Sequence, residues 1–188
     1  MHDPTQLPDG LPEPDDDGAA DHLPGMSLPD LALDTTGGTQ IRLDDLGAGP
    51  TVLYLYPKTG RPGVAMPPGW DEIPGARGCT TEACDFRDHH RELQNAGVER
   101  VYGVSSQPSA YQAEAAQRLK LPFALVADPD LQLAARLSLP TFVADGERLY
   151  KRLTLVVRDG SIGRVFYPVF PPNEHAQQVL DWLTSVRR

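Results

Sequence analysis

From Leu28 onward, apolar positions in this chain gather into short runs set apart by Pro, Gly and Asp, whereas residues 1–25 show no apolar period at all. Leu31-Ala-Leu33, then Thr36-Gly37-Gly38-Thr39, then Ile41-Arg-Leu43 reads as a hairpin. Thr51-Val-Leu-Tyr-Leu-Tyr56 is a continuous apolar run bounded by Pro50 and Pro57, the pattern of a central strand covered on both faces. The period then changes. Ala83, Phe86, His90, Leu93 and Gly97 recur at helical spacing and predict a helix over 80–96, stopped at Gly97. Val98–Val104 is a further strand, Ser109 caps a helix running to about Leu119, and Phe123–Val126 is a third core strand ended by Asp128-Pro129. A short helix over 131–138 follows. Leu153–Val157, Asp159-Gly160 and Ile162–Phe166 form a second hairpin, and a helix over 173–186 capped by Asn173 closes the chain. Strands alternating with helices, then a hairpin and a helix, specify an α/β sandwich around a mixed sheet.

Composition adds boundaries. A chain of 188 residues with 40% hydrophobic content suits one domain with a real core. Residues 1–25 carry seven acids and no Lys or Arg. That leaves 19 acids against 17 bases, a net charge of -2, for the rest of a chain whose total is -9. The division expected is an acidic, Pro-rich arm over 1–25, either flexible or loosely docked, or packed across the body and anchored by Leu7, Leu11 and Leu23, and a folded domain over 26–188. Neither part favours nucleic acid or an anionic membrane. No apolar run reaches 18 residues, and Met1–Gln6 has neither a basic nor an apolar leader region, so the expected compartment is the cytoplasm.

In that compartment two closely spaced cysteines point to chemistry or metal rather than to a structural bridge. Both lie in Gly78-Cys-Thr-Thr-Glu-Ala-Cys-Asp-Phe-Arg-Asp88. Extending the helical stripe backwards places Cys79 at the first turn on the core-facing side. Cys84 falls on the opposite side, in line with Asp88, Arg91 and Asn95. The first turn leaves N–H groups unpaired and favours negative charge, by ~0.3–1 kcal/mol or ~2 when partly buried. At about 1.36 kcal/mol per pH unit, that lowers a thiol from about 8.5 towards roughly 7. A strongly reactive thiolate also needs a cation, so an Arg from elsewhere in the fold is expected. Residues five apart on a helix have Cα atoms roughly 8–9 Å apart, whereas a disulfide needs less than about 7 Å. Any bridge between the two requires the helix start to unwind.

At Tyr54-Leu-Tyr-Pro57 and Gly78–Asp88 the sequence resembles the peroxiredoxins, in particular the bacterioferritin comigratory protein or peroxiredoxin Q type, over roughly residues 26–186. The resemblance implies a thioredoxin-like fold and a cofactor-free, metal-free, monomeric thiol peroxidase. Cys79 is then the residue that attacks hydrogen peroxide or an organic hydroperoxide and becomes a sulfenic acid. Cys84 condenses with it to an intramolecular disulfide, and a thioredoxin-type reductant restores the pair. It also implies an Arg at the start of a later strand. Arg152-Leu-Thr-Leu-Val-Val157 matches that pattern and makes Arg152 the candidate cation. Glu82 matches a family acid, either bonded near the site or solvated on the helix face.

The chain departs from the family just before Cys79. The Pro expected seven residues ahead and the Thr or Ser three ahead are Glu72 and Ala76, because an insertion within 58–78, rich in Pro and Gly, separates Pro57 from the cysteine. Either Thr59 folds back to supply the hydroxyl, or Pro74 and a backbone amide stand in for it, or the pocket is altered and peroxidase activity is weak. The insertion itself reads as a lid or a surface elaboration. A second functional class keeps the cysteine switch but uses helix unwinding as a signal, as a redox sensor. His89 and His90 lie near the cysteines without zinc-site spacing, and no phosphate loop or His-Glu-x-x-His motif occurs.

Overall fold

The structure is a computed structural model and describes residues 5–186. Its centre is β3 (Thr51–Leu55), every residue of which is buried. Alternation along this strand sorts two cores. Val52, Tyr54 and, just beyond it, Tyr56 face one side; Leu53 and Leu55 face the other. Both rows are apolar, so the strand is covered twice, as its unbroken run implies.

Around it the sheet has seven strands in the order β2-β1-β5-β4-β3-β8-β9. These are β1 (Ala32–Thr35), β2 (Gln40–Arg42), β4 (Arg100–Ser105), β5 (Leu125–Ala127), β8 (Leu153–Arg158) and β9 (Ser161–Phe166). The centre, β3-β4-β5, is parallel, and the flanking pairs are antiparallel. Leu53 pairs with Tyr102 on one side and Leu155 on the other. The Tyr54 face is covered by α1 (Cys79–Asp88), α2 (His90–Asn95), the end of α3 (Ser109–Arg118) and α5 (His175–Ser185). The Leu53 face is covered by α4 (Gln132–Leu137) and by chain from Ala20 to Leu33. This is the mixed, thioredoxin-like α/β architecture expected.

Several local features differ from the sequence reading. The helix expected over 80–96 begins at Cys79 and bends at His89, whose Nδ1 lies 3.0 Å from the Asp85 carbonyl and 3.0 Å from its carboxylate. Ser109 and Asn173 are not capping residues: Ser109 is already helical, and Asn173 sits in a 3-10 turn, Pro172–Glu174. A third hairpin, β6 (Thr141–Ala144) and β7 (Glu147–Tyr150), forms its own two-stranded sheet. Asp145 and Gly146 turn it, both at positive φ (50° and 75°). An Asp-Gly pair between apolar runs is the ordinary signal for such a turn.

The insertion and the arm are both packed. Trp70, in the 3-10 turn Trp70–Glu72, is 2% exposed. With Ala76, Ala144 and Leu149 it forms a small separate core, edged by Met66, Ile73 and Phe142. The insertion and the third hairpin thus fold against each other, and Lys58 Nζ to Glu147 (2.6 Å) ties their ends. The acidic arm runs across the body. Leu23 is fully buried and Ala20 joins the main core. Asp17 accepts hydrogen bonds from Lys151 Nζ and Tyr167 Oη, both 2.8 Å. Leu7 and Pro14 lie over Gly78 and Gly75. An Asp-rich stretch reads as solvated by composition, but here Ala20, Leu23 and the Asp17–Lys151 ion pair hold it to the body.

Candidate active site

Cys79 is the first residue of α1 and is 2% exposed. Gly78, before it, has φ 109°, and a Cβ there would collide with Pro172 and Leu7. Glycine is therefore needed both for the turn and for the close approach. Phe86, one helical turn after Ala83, stacks on Tyr54 of β3 at 4.5 Å and 13°. Asp85 accepts the Ala176 N–H at the start of α5 at 2.6 Å. Those two contacts fix α1 against the sheet and against α5.

Arg152 precedes β8, the strand beside β3, and its buried guanidinium meets the start of α1. Nη2 lies 3.2 Å from Cys79 Sγ and donates to the carbonyls of Ala76 (3.3 Å) and Arg77 (3.2 Å). Nη1 donates to Glu82. The structure thus brings Cys79 and Arg152 together, and Glu82 is a fully buried partner of Arg152 rather than a solvated helix-face residue. Cys84 is half-buried at the edge of the core that also holds Cys79, reduced, and beside Arg87.

The charges compete. Burial pushes the Cys79 thiol up; Arg152 pulls it down, Glu82 pushes it up, and the Lys58 backbone N–H pulls it down. Burial also raises Glu82 to about 7, against the pull of Arg152. Burial opposes the charge of Arg152 too, but the thiol and the carboxyl beside it keep the guanidinium firmly protonated. One cation therefore serves two acids, and the activation expected from the helix dipole is offset by desolvation. His175, under β8, is held neutral: burial lowers it to about 4, and its Nε2 lies 2.7 Å from Thr154 Oγ1.

The missing Pro and Thr positions resolve as follows. The Lys58 amide stands at the thiol, immediately after the buried Pro57. Thr59 does not fold back to the site, because its hydroxyl and its amide both donate to Gln107 Oε1 (3.1 and 2.9 Å). Pro74 lines a different cavity, under the arm. Cys79 instead opens on a cleft of about 740 Å³ walled by the insertion, and the hydroxyl-bearing residue of its lining is Thr80. His89 bonds Asp85 and His90 packs on Phe123, so neither turns to the cysteines. Among the described residues, no cluster of His, Cys, Asp and Glu could hold a metal ion. No helix among them is long and apolar enough to cross a membrane.

A parallel-centred sheet presenting a cysteine at a helix start, with a buried arginine on its sulfur, defines a thiol-redox protein of the thioredoxin-like superfamily. The Redoxin family model matches residues 23–180, and the chain belongs to that family, in its peroxiredoxin Bcp/Q branch. It is 32% identical to peroxiredoxin Bcp of Escherichia coli, over 88% of this chain and 94% of the relative. It is 30% identical to a peroxiredoxin Q, chloroplastic, of Arabidopsis thaliana, covering 86% of this chain and 67% of that one. Among solved structures, peroxidoxin BcpB of Mycobacterium tuberculosis superposes with a TM-score of 0.69 at 30% identity, covering 89% of this chain and all of that one. Peroxiredoxin Q of Xanthomonas campestris gives 0.68 at 27% identity, with 87% and 98% covered.

Proposed function

We propose that this thiol-dependent peroxidase uses Cys79 as its attacking residue, Cys84 as its resolving residue and Arg152 as the cation at the reacting sulfur. The observation that carries the reading is Arg152 Nη2 at 3.2 Å from Cys79 Sγ, beside the Lys58 N–H and at the mouth of a cleft. The Cys79 thiolate attacks the terminal peroxide oxygen. An S–O bond forms, the O–O bond breaks, and the leaving oxygen takes up a proton and departs as water or an alcohol. The sulfur loses two electrons and becomes a sulfenic acid. Arg152 and the Lys58 amide stand where negative charge builds on the peroxide oxygens.

The Cys84 thiol then attacks the sulfenic sulfur, releasing water and leaving a disulfide. Both cysteines lie on α1, so its first turn must unwind for that step. A thioredoxin-type dithiol reduces the bridge by exchange, in a reducing, cytoplasmic compartment. Cys79 and Cys84 lie on the same helix, which supports an atypical two-cysteine cycle, and we propose that the enzyme acts as a monomer. The bacterioferritin comigratory protein of Xanthomonas campestris, a relative of solved structure, has alkyl peroxide reduction activity, which supports the same substrate type here.

Stopped-flow mixing of reduced protein with peroxide, followed by Trp fluorescence and mass spectrometry, tests the reading. Oxidation orders of magnitude faster than a free thiol, ending in a Cys79–Cys84 disulfide, is expected. Cys79→Ser should abolish consumption, and Cys84→Ser should leave a trappable sulfenic acid. Full turnover in the Cys79 variant refutes the assignment. Burial of the Cys79 thiol favours a second reading, a redox sensor that reacts once and slowly. Many peroxides consumed per chain with a dithiol present rule that out.

A further inference from the structure

We propose that residues 63–70 are a specificity element, and that the cleft they build over Cys79 takes hydroperoxides with a bulky, uncharged hydrocarbon body. The inference rests on the peroxidase reading above and names the substrate that this chain's own insertion selects.

The first observation is size. The cleft is about 740 Å³, within the roughly 300–1,000 Å³ of clefts that hold drug-sized ligands. Hydrogen peroxide fills only about two water volumes of ~30 Å³ each, so it leaves most of the space to solvent.

The second is the wall. Val64, Ala65, Met66, Pro67 and Trp70 all line it, and all belong to the insertion. Trp70 and Met66 are held by the separate core with Phe142, Ala144 and Leu149. The wall is therefore a fixed surface rather than a free flap. Val64 is 60% exposed, the largest apolar side chain of the wall left to water. A hydrocarbon body seated there removes that surface from solvent.

The third is charge. The lining includes Lys58, Arg61 and Arg77, which would favour an acidic headgroup were they unpaired. Each is paired already: Lys58 with Glu147 at 2.6 Å, Arg61 with Glu114 at 3.0 Å, and Arg77 with Asp71 at 3.0 Å. Glu72 adds a further acid to the lining. An anionic substrate gains no open cation here and meets an extra carboxylate. An uncharged one meets apolar wall and keeps its peroxide end at Cys79, where the O–O bond is cleaved and the body leaves as an alcohol.

The test uses the full, reduced chain and measures the second-order rate of Cys79 oxidation by four peroxides. These are hydrogen peroxide, cumene hydroperoxide, linoleic acid hydroperoxide and the methyl ester of the last. Cumene hydroperoxide should react at least tenfold faster than hydrogen peroxide, and the ester faster than the free acid. Ala65→Trp, which fills the cleft from an exposed position, should lower the cumene-to-hydrogen-peroxide ratio at least tenfold. Val64→Arg, which supplies an unpaired cation, should reverse the order of ester and acid. Equal rates for the small and bulky peroxides, or a ratio that Ala65→Trp leaves in place, overturn the inference while the peroxidase reading stands. Rates no better than a free thiol with all four peroxides overturn that reading, and this one with it.

Discussion

Arg152 is shared between two groups that each want its charge. When Glu82 is ionised it holds the guanidinium and adds its own repulsion to the thiolate; when it is protonated, Arg152 is left to the sulfur. Glu82→Gln should therefore lower the Cys79 pKa, read from thiolate absorbance or from alkylation rate against pH. An unchanged or higher value would mean that Glu82 acts on Arg152 by position alone. Arg152→Met removes the cation from both groups. Oxidation should slow by about two orders of magnitude, consistent with loss of an oriented charge at the reacting atoms. Breaking a buried pair costs about 3–5 kcal/mol. At pH 8 the loss in a denaturant titration should approach that figure, and at pH 5, where Glu82 is protonated, it should be smaller. The cysteine at the helix start and its need for an arginine were both legible in the sequence. The amide of Lys58 and the burial of Glu82 were not, because each depends on chain distant in sequence: the first on where an insertion returns, the second on which side of α1 meets β8.

Among the elements, β3, α1 and the β8–β9 hairpin follow directly from apolar period and turn residues, because each buries its pattern locally against the sheet. The insertion does not, and the third hairpin shows only its Asp145-Gly146 turn, because the two bury their apolar residues against each other instead. Phe142, Ala144 and Leu149 belong to short strands that look unsupported until Trp70 arrives from the other side of α1 in sequence. Trp70→Ala should cost about 3–5 kcal/mol where the void cannot collapse. Hydrogen exchange should locate the damage: amides of Thr141–Tyr150 should lose protection before those of the seven-stranded sheet. Uniform loss across both sheets would show the small core to be continuous with the large ones. The arm's acidic, Pro-rich composition speaks for a loose segment and its scattered leucines for a packed one, so the sequence leaves both readings open. Of the residues that decide the matter, Leu23 is already a candidate anchor in the sequence, whereas Ala20 is too small and too isolated for any period to reveal it.

For the molecule as a whole, two buried groups make stability depend on pH in opposite senses. Glu82 has its folded pKa raised to about 7 from 4.5. Its contribution is fully present below about pH 4.5 and is lost as pH rises towards 7, while the unfolded carboxyl ionises and the folded one does not. His175 is lowered to about 4 from 6.5, so its contribution is present above about pH 6.5 and is lost as pH falls towards 4. Between these limits the two slopes oppose each other. In Glu82→Gln the midpoint of thermal unfolding should therefore rise more steeply, or fall less, from pH 4.5 to 7 than in the parent chain. Parallel curves for the two proteins would show that Glu82 does not titrate in that window.

On the two-cysteine cycle proposed above, the contact of Leu7 and Pro14 with Gly78 and Gly75 would make the arm a timer. A sulfenic acid at Cys79 waits for Cys84, and while it waits a second peroxide can carry it irreversibly to the sulfinic acid. The arm lies against the chain just ahead of the turn that unwinds in that cycle. A looser arm therefore shortens the wait. In Leu7→Ser, less sulfinic acid should accumulate per turnover at high peroxide, counted by intact mass. The contacts that steady the enzyme at rest would then also set how much oxidant it survives.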